Sequence, residues 1–171
     1  MTTFKALLAL PLLALLANAR AADVKPAPAP ALGCPGAAAH AFDFWIGEWN
    51  VTDPTGKTVG HSRIESILSG CSISEHWEGR SGFTGVSYNA WDAKTRMWHQ
   101  FWVDAQGNVA RLQGGIADGR MVLQSAPSTG HVDRITWTPN ADGSVRQLWE
   151  ASEDGGKAWK GVFDGMYRKA H

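Results

Sequence analysis

The chain is poor in charge imbalance, in cysteine and in long apolar runs, and each shortage removes a class of function. Lys and Arg total 16 against 16 Asp and Glu in 171 residues, so the formal net charge is zero. There is also no basic run, and this balance takes away the electrostatic drive toward nucleic acid or an anionic membrane. Neither is expected as a partner. After the N-terminal run Ala6 to Ala17 (ALLALPLLALLA), nothing approaches the roughly 18 apolar residues of a membrane span. There is no Gly-x-Ser-x-Gly for a nucleophile elbow, no phosphate loop and no dinucleotide fingerprint. The six histidines (His40, His61, His76, His99, His131 and His171) form no His-x-His or His-x-x-x-His pair, and no Cys-x-x-Cys occurs, so a metal site is not expected. No amphipathic helix of three turns follows the N-terminal run.

That run has the organisation of an export signal. Lys5 supplies a positive charge before it, and Ala19-Arg20-Ala21 after it is an Ala-x-Ala cleavage site. The expected organisation is a signal peptide over 1–21, a Pro/Ala-rich linker over 22–36 and one domain over 37–171. The mature protein is expected to be periplasmic or secreted. Ala31-Leu32-Gly33-Cys34 also resembles a lipobox, but VKPAPAPA separates it from the apolar run it would have to abut. After cleavage about 150 residues remain, enough for one domain burying about two-thirds of its unfolded surface. The two cysteines, Cys34 and Cys71, are expected to form a disulfide in an oxidising compartment.

From Phe44 onward, short runs rich in Val, Ile, Thr, Trp and Tyr alternate with Gly, Asn and Asp turns. ISEHW, TGVSYNAW, RMWHQFWVD, RMVLQ, DRITW and SVRQLWE are the clearest strands. Regular short strands with Asp-Gly turns indicate an all-β antiparallel domain, sandwich or barrel. Alternation decides between them. In RMWHQFWVD, Trp98, Gln100, Trp102 and Asp104 share one face, and Met97, His99, Phe101 and Val103 share the other. Large apolar groups on both faces suit a barrel with a mixed interior, either filled or hollow.

Three motifs carry candidate roles. Gly47-x-Trp49 resembles the opening of lipocalin-type barrels, in which the indole plugs the closed end. Arg168 on the last strand is the expected cation over the ring. Trp45 and Phe44 are expected to cover the outside, beside the disulfide. SEDGGKAW, Ser152 to Trp159, resembles an Asp box; a single copy reads as a hairpin device, with Ser and Asp side chains holding turn N–H groups. Glu75 shares a face with Ile73 and Trp77. Facing inward, it needs a partner such as Arg146 or Arg134, or carries a raised pKa. Gln100, Asp104 and Gln147 are the other candidate polar groups of an apolar pocket. A haem ligated by His99 is the weaker reading of the aromatic strand, and no cofactor is expected.

Taken in order, FDFWIGEWNV, Gly70-Cys71 with Glu75-x-Trp77, Gly85-x-Ser87, Trp98-x-Gln100-x-Trp102-x-Asp104, Arg146-Gln147-x-Trp149-Glu150 and SEDGGKAW resemble an exported bacterial family of lipocalin-like, calycin-like barrels of unknown function. The resemblance spans Phe42 to Arg168, and Ala158 stands where an Asp box usually has Thr. It implies an up-and-down antiparallel barrel of eight to ten strands and no particular activity. The nine Trp favour a binder of a small apolar or aromatic molecule, held by Glu75, Trp77, Gln100, Trp102, Asp104, Arg146, Gln147 and Trp149. The alternatives are an isomerase, cyclase or hydrolase using Glu75 and Asp104 as acid and base, and a filled structural barrel.

Overall fold

The computed structural model describes residues 32–170; the expected signal peptide and most of the linker, with His171, lie outside them. Ten strands run β1 (Gly47–Thr52), β2 (Thr58–Ile67), β3 (Ser72–Gly79), β4 (Thr84–Asp92), β5 (Met97–Asp104), β6 (Val109–Ala117), β7 (Arg120–Gln124), β8 (Val132–Pro139), β9 (Val145–Ser152) and β10 (Lys160–Lys169). Each pairs antiparallel with its neighbour in sequence, and β1 pairs with β10 to close the barrel. This is the up-and-down barrel that the strand pattern implied. Closure leaves no free sheet edge.

The hairpins explain the register. Asp53 N donates to Lys57 O and Gly56 N to Asp53 O; the same pair of bonds recurs at Gly79–Phe83, Asp104–Asn108 and Asn140–Ser144. Each is a three-residue loop whose glycine (Gly56, Gly82, Gly107 or Gly143) has φ between +79° and +87°. A type I turn closed by a left-handed residue is a preferred three-residue hairpin, and glycine takes that backbone without steric cost. In SEDGGKAW the turn is held by side chains. Asp154 Oδ1 accepts from Lys157 N and Ala158 N, each at 2.9 Å, and Ser152 Oγ accepts from Gly156 N at 2.8 Å.

One end of the barrel is plugged. Residues 37–45 form two 3₁₀ turns that cross this end before β1 begins. Phe42 and Trp45 lie three apart, a spacing that eclipses side chains on a 3₁₀ helix, and they stack at 5.1 Å. Trp137 packs against both, Trp98 against Phe42 and Tyr167 against Trp45. Trp45 is fully buried in this plug, which corrects the expectation that it covers the outside; Phe44 is partly buried against the same cluster. Strand alternation could not place these residues because FDFW is not a strand.

Trp49 is also buried, with its Nε1 donating to Trp45 O at 2.9 Å. The cation over its ring is Lys169, Nζ at 3.8 Å, and not Arg168. The register accounts for the difference: Trp49 lies opposite Lys169, whereas Arg168 lies opposite Asn50, whose side chain points to the other face. Gly47 serves the same contact, since a Cβ there would collide with the Lys169 ammonium.

The Cys34–Cys71 disulfide is present, with Cα atoms 4.9 Å apart and a separation of 37 residues. It ties the segment leading into the plug to the start of β3. A disulfide-bonded Cys34 has no thiol to acylate, so the lipobox reading falls away.

Candidate ligand cavity

Above the plug the barrel is hollow. A cavity of about 530 Å³ opens toward the loops that follow β3 and β5. Its openness depends on where the aromatic rings lie. A Cβ on Gly60 would meet the Trp77 ring at 2.7 Å, one on Gly165 would meet Phe163 at 2.6 Å, and one on Gly85 would collide with Trp102. Each ring thus rests across a glycine on the barrel wall and leaves the centre free.

Seven of the eight proposed ligand contacts line this one cavity: Glu75, Trp77, Gln100, Trp102, Asp104, Gln147 and Trp149. Arg146 does not. It stands beside Gln147 on β9, so the two point to opposite faces, and its guanidinium pairs outside the barrel with Asp164 at 2.7 and 2.8 Å. Arg134 likewise pairs with Glu150 and covers the Trp159 ring at 3.9 Å. Neither arginine balances Glu75.

Glu75 is 3% exposed on β3. Its Oε1 accepts from Ser62 Oγ at 3.1 Å and its Oε2 from Ser87 Oγ at 3.0 Å. Asn89 Nδ2 donates to Ser87 Oγ at 3.0 Å, which leaves the Ser87 proton free for the carboxylate. Burial pushes the Glu75 pKa up from 4.5 to about 7, with the two serine hydroxyls opposing the rise. Tyr167, also in the cavity, has its phenol pushed up by burial and by the Glu75 charge.

Gln100, 4% exposed, brings an Oε1 that has no hydrogen-bond partner. Gln147 accepts from Trp137 Nε1 at 3.1 Å, which turns the amide so that its NH₂ is left for the cavity. Trp149 is held at the rim by a 2.7 Å bond from Nε1 to Asp133 Oδ1. Asp133 and Glu153 flank His131 at 3.1 and 2.8 Å, and the bonds to Glu153 and then Asp133 raise the His131 pKa above 6.5.

Asp104 is in the cavity rim but is committed to its own turn. Its Oδ1 accepts from Gln106 N and Asn108 N and its Oδ2 from Asn108 Nδ2, each at 2.9 Å. These bonds, the Asn108 side chain first, hold its pKa below the ordinary carboxylate value. It is poorly suited to exchange a proton. His99 faces the outside, with Nε2 3.3 Å from Thr95 Oγ1, and does not reach the cavity where a haem would sit.

Sequence reasoning missed the serines. Counting back from the Gly79–Phe83 turn pairs Glu75 with Ser87, so that contact was available from hairpin arithmetic. Ser62 reaches Glu75 diagonally from β2, where its cross-strand partner is Trp77, and no sequence signal marks it. Compared with known proteins, the chain matches no protein-family model and no curated sequence.

Proposed function

We propose that the protein is an exported, lipocalin-like carrier or receptor that takes a small apolar or aromatic molecule into its barrel. The observation that supports this best is the cavity itself. At about 530 Å³ it falls within the range of small-molecule sites, with mainly aromatic walls and a few polar groups at depth. A barrel under selection only for stability would gain by filling that space, because unfilled apolar volume costs packing energy. The Cys34–Cys71 bridge suits an oxidising compartment, and the Gly47-x-Trp49 plug with a cation on the indole suits the lipocalin resemblance.

Native mass spectrometry on protein purified from its own host tests the reading. A retained non-covalent mass, released by denaturation, is the expected result. An empty protein that also fails to take up a solvatochromic dye would refute it.

One observation favours a catalytic second reading, the buried Glu75 carboxyl with its pKa pushed up to about 7 beside the cavity. That reading rests on Glu75 alone, since Asp104 is tied to its turn. Glu75→Gln would abolish turnover by such an enzyme while a binder keeps an uncharged ligand.

A further inference from the structure

Resting on the binding reading above, the geometry points to a ligand class: we infer that the cavity takes an organic cation, a protonated amine on an aromatic body, with its N–H groups directed at Glu75 and Gln100. Three observations carry this. The first is a count of donors and acceptors. Both Glu75 oxygens receive a serine O–H, which supports the ionised form against the burial that disfavours it, and each oxygen keeps further acceptor capacity. Gln100 Oε1 adds an acceptor with no partner. Around Glu75 and the Gln100 carbonyl the unmet need is for donors, which a protonated amine brings, while the Gln147 NH₂ can serve an acceptor elsewhere on the ligand.

The second observation is charge. Glu75 and Asp104 line the cavity, and among the described residues no Lys, Arg or His does. An anionic ligand would meet repulsion and no counter-ion. A cation would neutralise a buried carboxylate that the fold leaves without a counter-ion, and an uncompensated buried charge is costly. The third is the wall. Trp77, Trp102, Trp149 and Phe163 surround the approach, and aromatic faces attract a cation as well as an apolar body. Burial that raises the Glu75 pKa to about 7 agrees with a site awaiting its counter-charge.

The test uses three fluorescent probes with one shared body: dansylcadaverine, its neutral N-acetyl derivative, and the anionic dansyl-6-aminohexanoate. Binding to the mature protein is followed by dansyl emission at pH 8, where Glu75 is ionised. The amine is expected to bind at least tenfold more tightly than the N-acetyl probe, and the anion most weakly. In Glu75→Gln the ratio of amine to N-acetyl affinity should fall to about one, and N-acetyl binding that remains measurable shows that the cavity persists. In wild type the advantage should shrink as pH falls from 8 to 5. The titratable groups facing the cavity are Tyr167 and Asp104 besides Glu75, and with Tyr167 raised and Asp104 lowered neither changes charge in that window. Equal or tighter binding of the N-acetyl or anionic probe would overturn the amine assignment and leave the binding barrel standing. An amine preference that survives in Glu75→Gln would overturn it too. Failure of all three probes to bind would sink both the assignment and the barrel reading on which it rests.

Discussion

Replacing Glu75 with Gln should change the pH dependence of stability, and the size of the change follows from the site. The carboxyl has an ordinary value of 4.5 when exposed and about 7 in the folded barrel. The folded state therefore holds its proton more tightly than the unfolded chain does. Stability from this group is fully present below pH 4.5 and is lost as pH rises through 7. A rise of that size corresponds to about 3 kcal/mol of unfolding free energy between pH 4.5 and pH 8. The assay is urea unfolding at several pH values across that range, comparing the slopes of wild type and Glu75→Gln. The variant is expected to be flatter by most of that amount. Comparing slopes removes the constant cost of presenting an amide to Ser62 and Ser87. The carboxylates with lowered pKa, such as Asp53, Asp154 and Asp164, lose their contribution only at more acid pH. His131 does fall in the upper part of the window, since its pKa is raised above 6.5, but it is common to both proteins and cancels. Parallel profiles would refute the reasoning, because a buried, unpaired carboxyl cannot titrate without this signature.

How much of this was legible in the sequence depended on whether a residue lay in a strand. Within strands, period-two alternation grouped Glu75 with Trp77, and Gln100 with Trp102 and Asp104, and the structure has each set on the cavity side. The same rule, applied consistently, would have sent Arg146 outward, since it neighbours Gln147. Outside strands the rule has no hold. Trp45 enters the plug because a 3₁₀ turn aligns it with Phe42, which no pattern of two reveals. At the last strand the resolution needed was a single residue. Lys169 and Arg168 are adjacent cations, and only the β1–β10 register tells which faces Trp49. Asp104 illustrates a third limit. Its face was readable, but the Asp-x-x-Gly turn that captures its carboxylate is a local competitor to any role in the cavity.

The remaining predictions concern the frame around the cavity. Alkylation of the native mature protein should label neither cysteine until a reductant is added, and reduction should lower stability by about 4 kcal/mol on loop entropy; two thiols labelled without reductant would contradict the Cys34–Cys71 bridge. Trp49→Ala should cost about 3–5 kcal/mol, while Arg168→Ala should cost much less than Lys169→Ala because only Lys169 covers the indole; equal costs for the two cations would place the contact elsewhere. The last prediction tests whether glycines keep the cavity open. In Gly85→Ala the new Cβ collides with the Trp102 ring, so the ring must leave the wall, and the space available to it is the cavity. Dye uptake should fall at least tenfold even though alanine suits a strand no worse than glycine does. Gly115→Ala is the matched control, because a Cβ there meets nothing within 4 Å, and it should bind as wild type does. If Gly85→Ala folds and binds as well as that control, Trp102 does not rest on Gly85, and the cavity does not depend on the glycine wall.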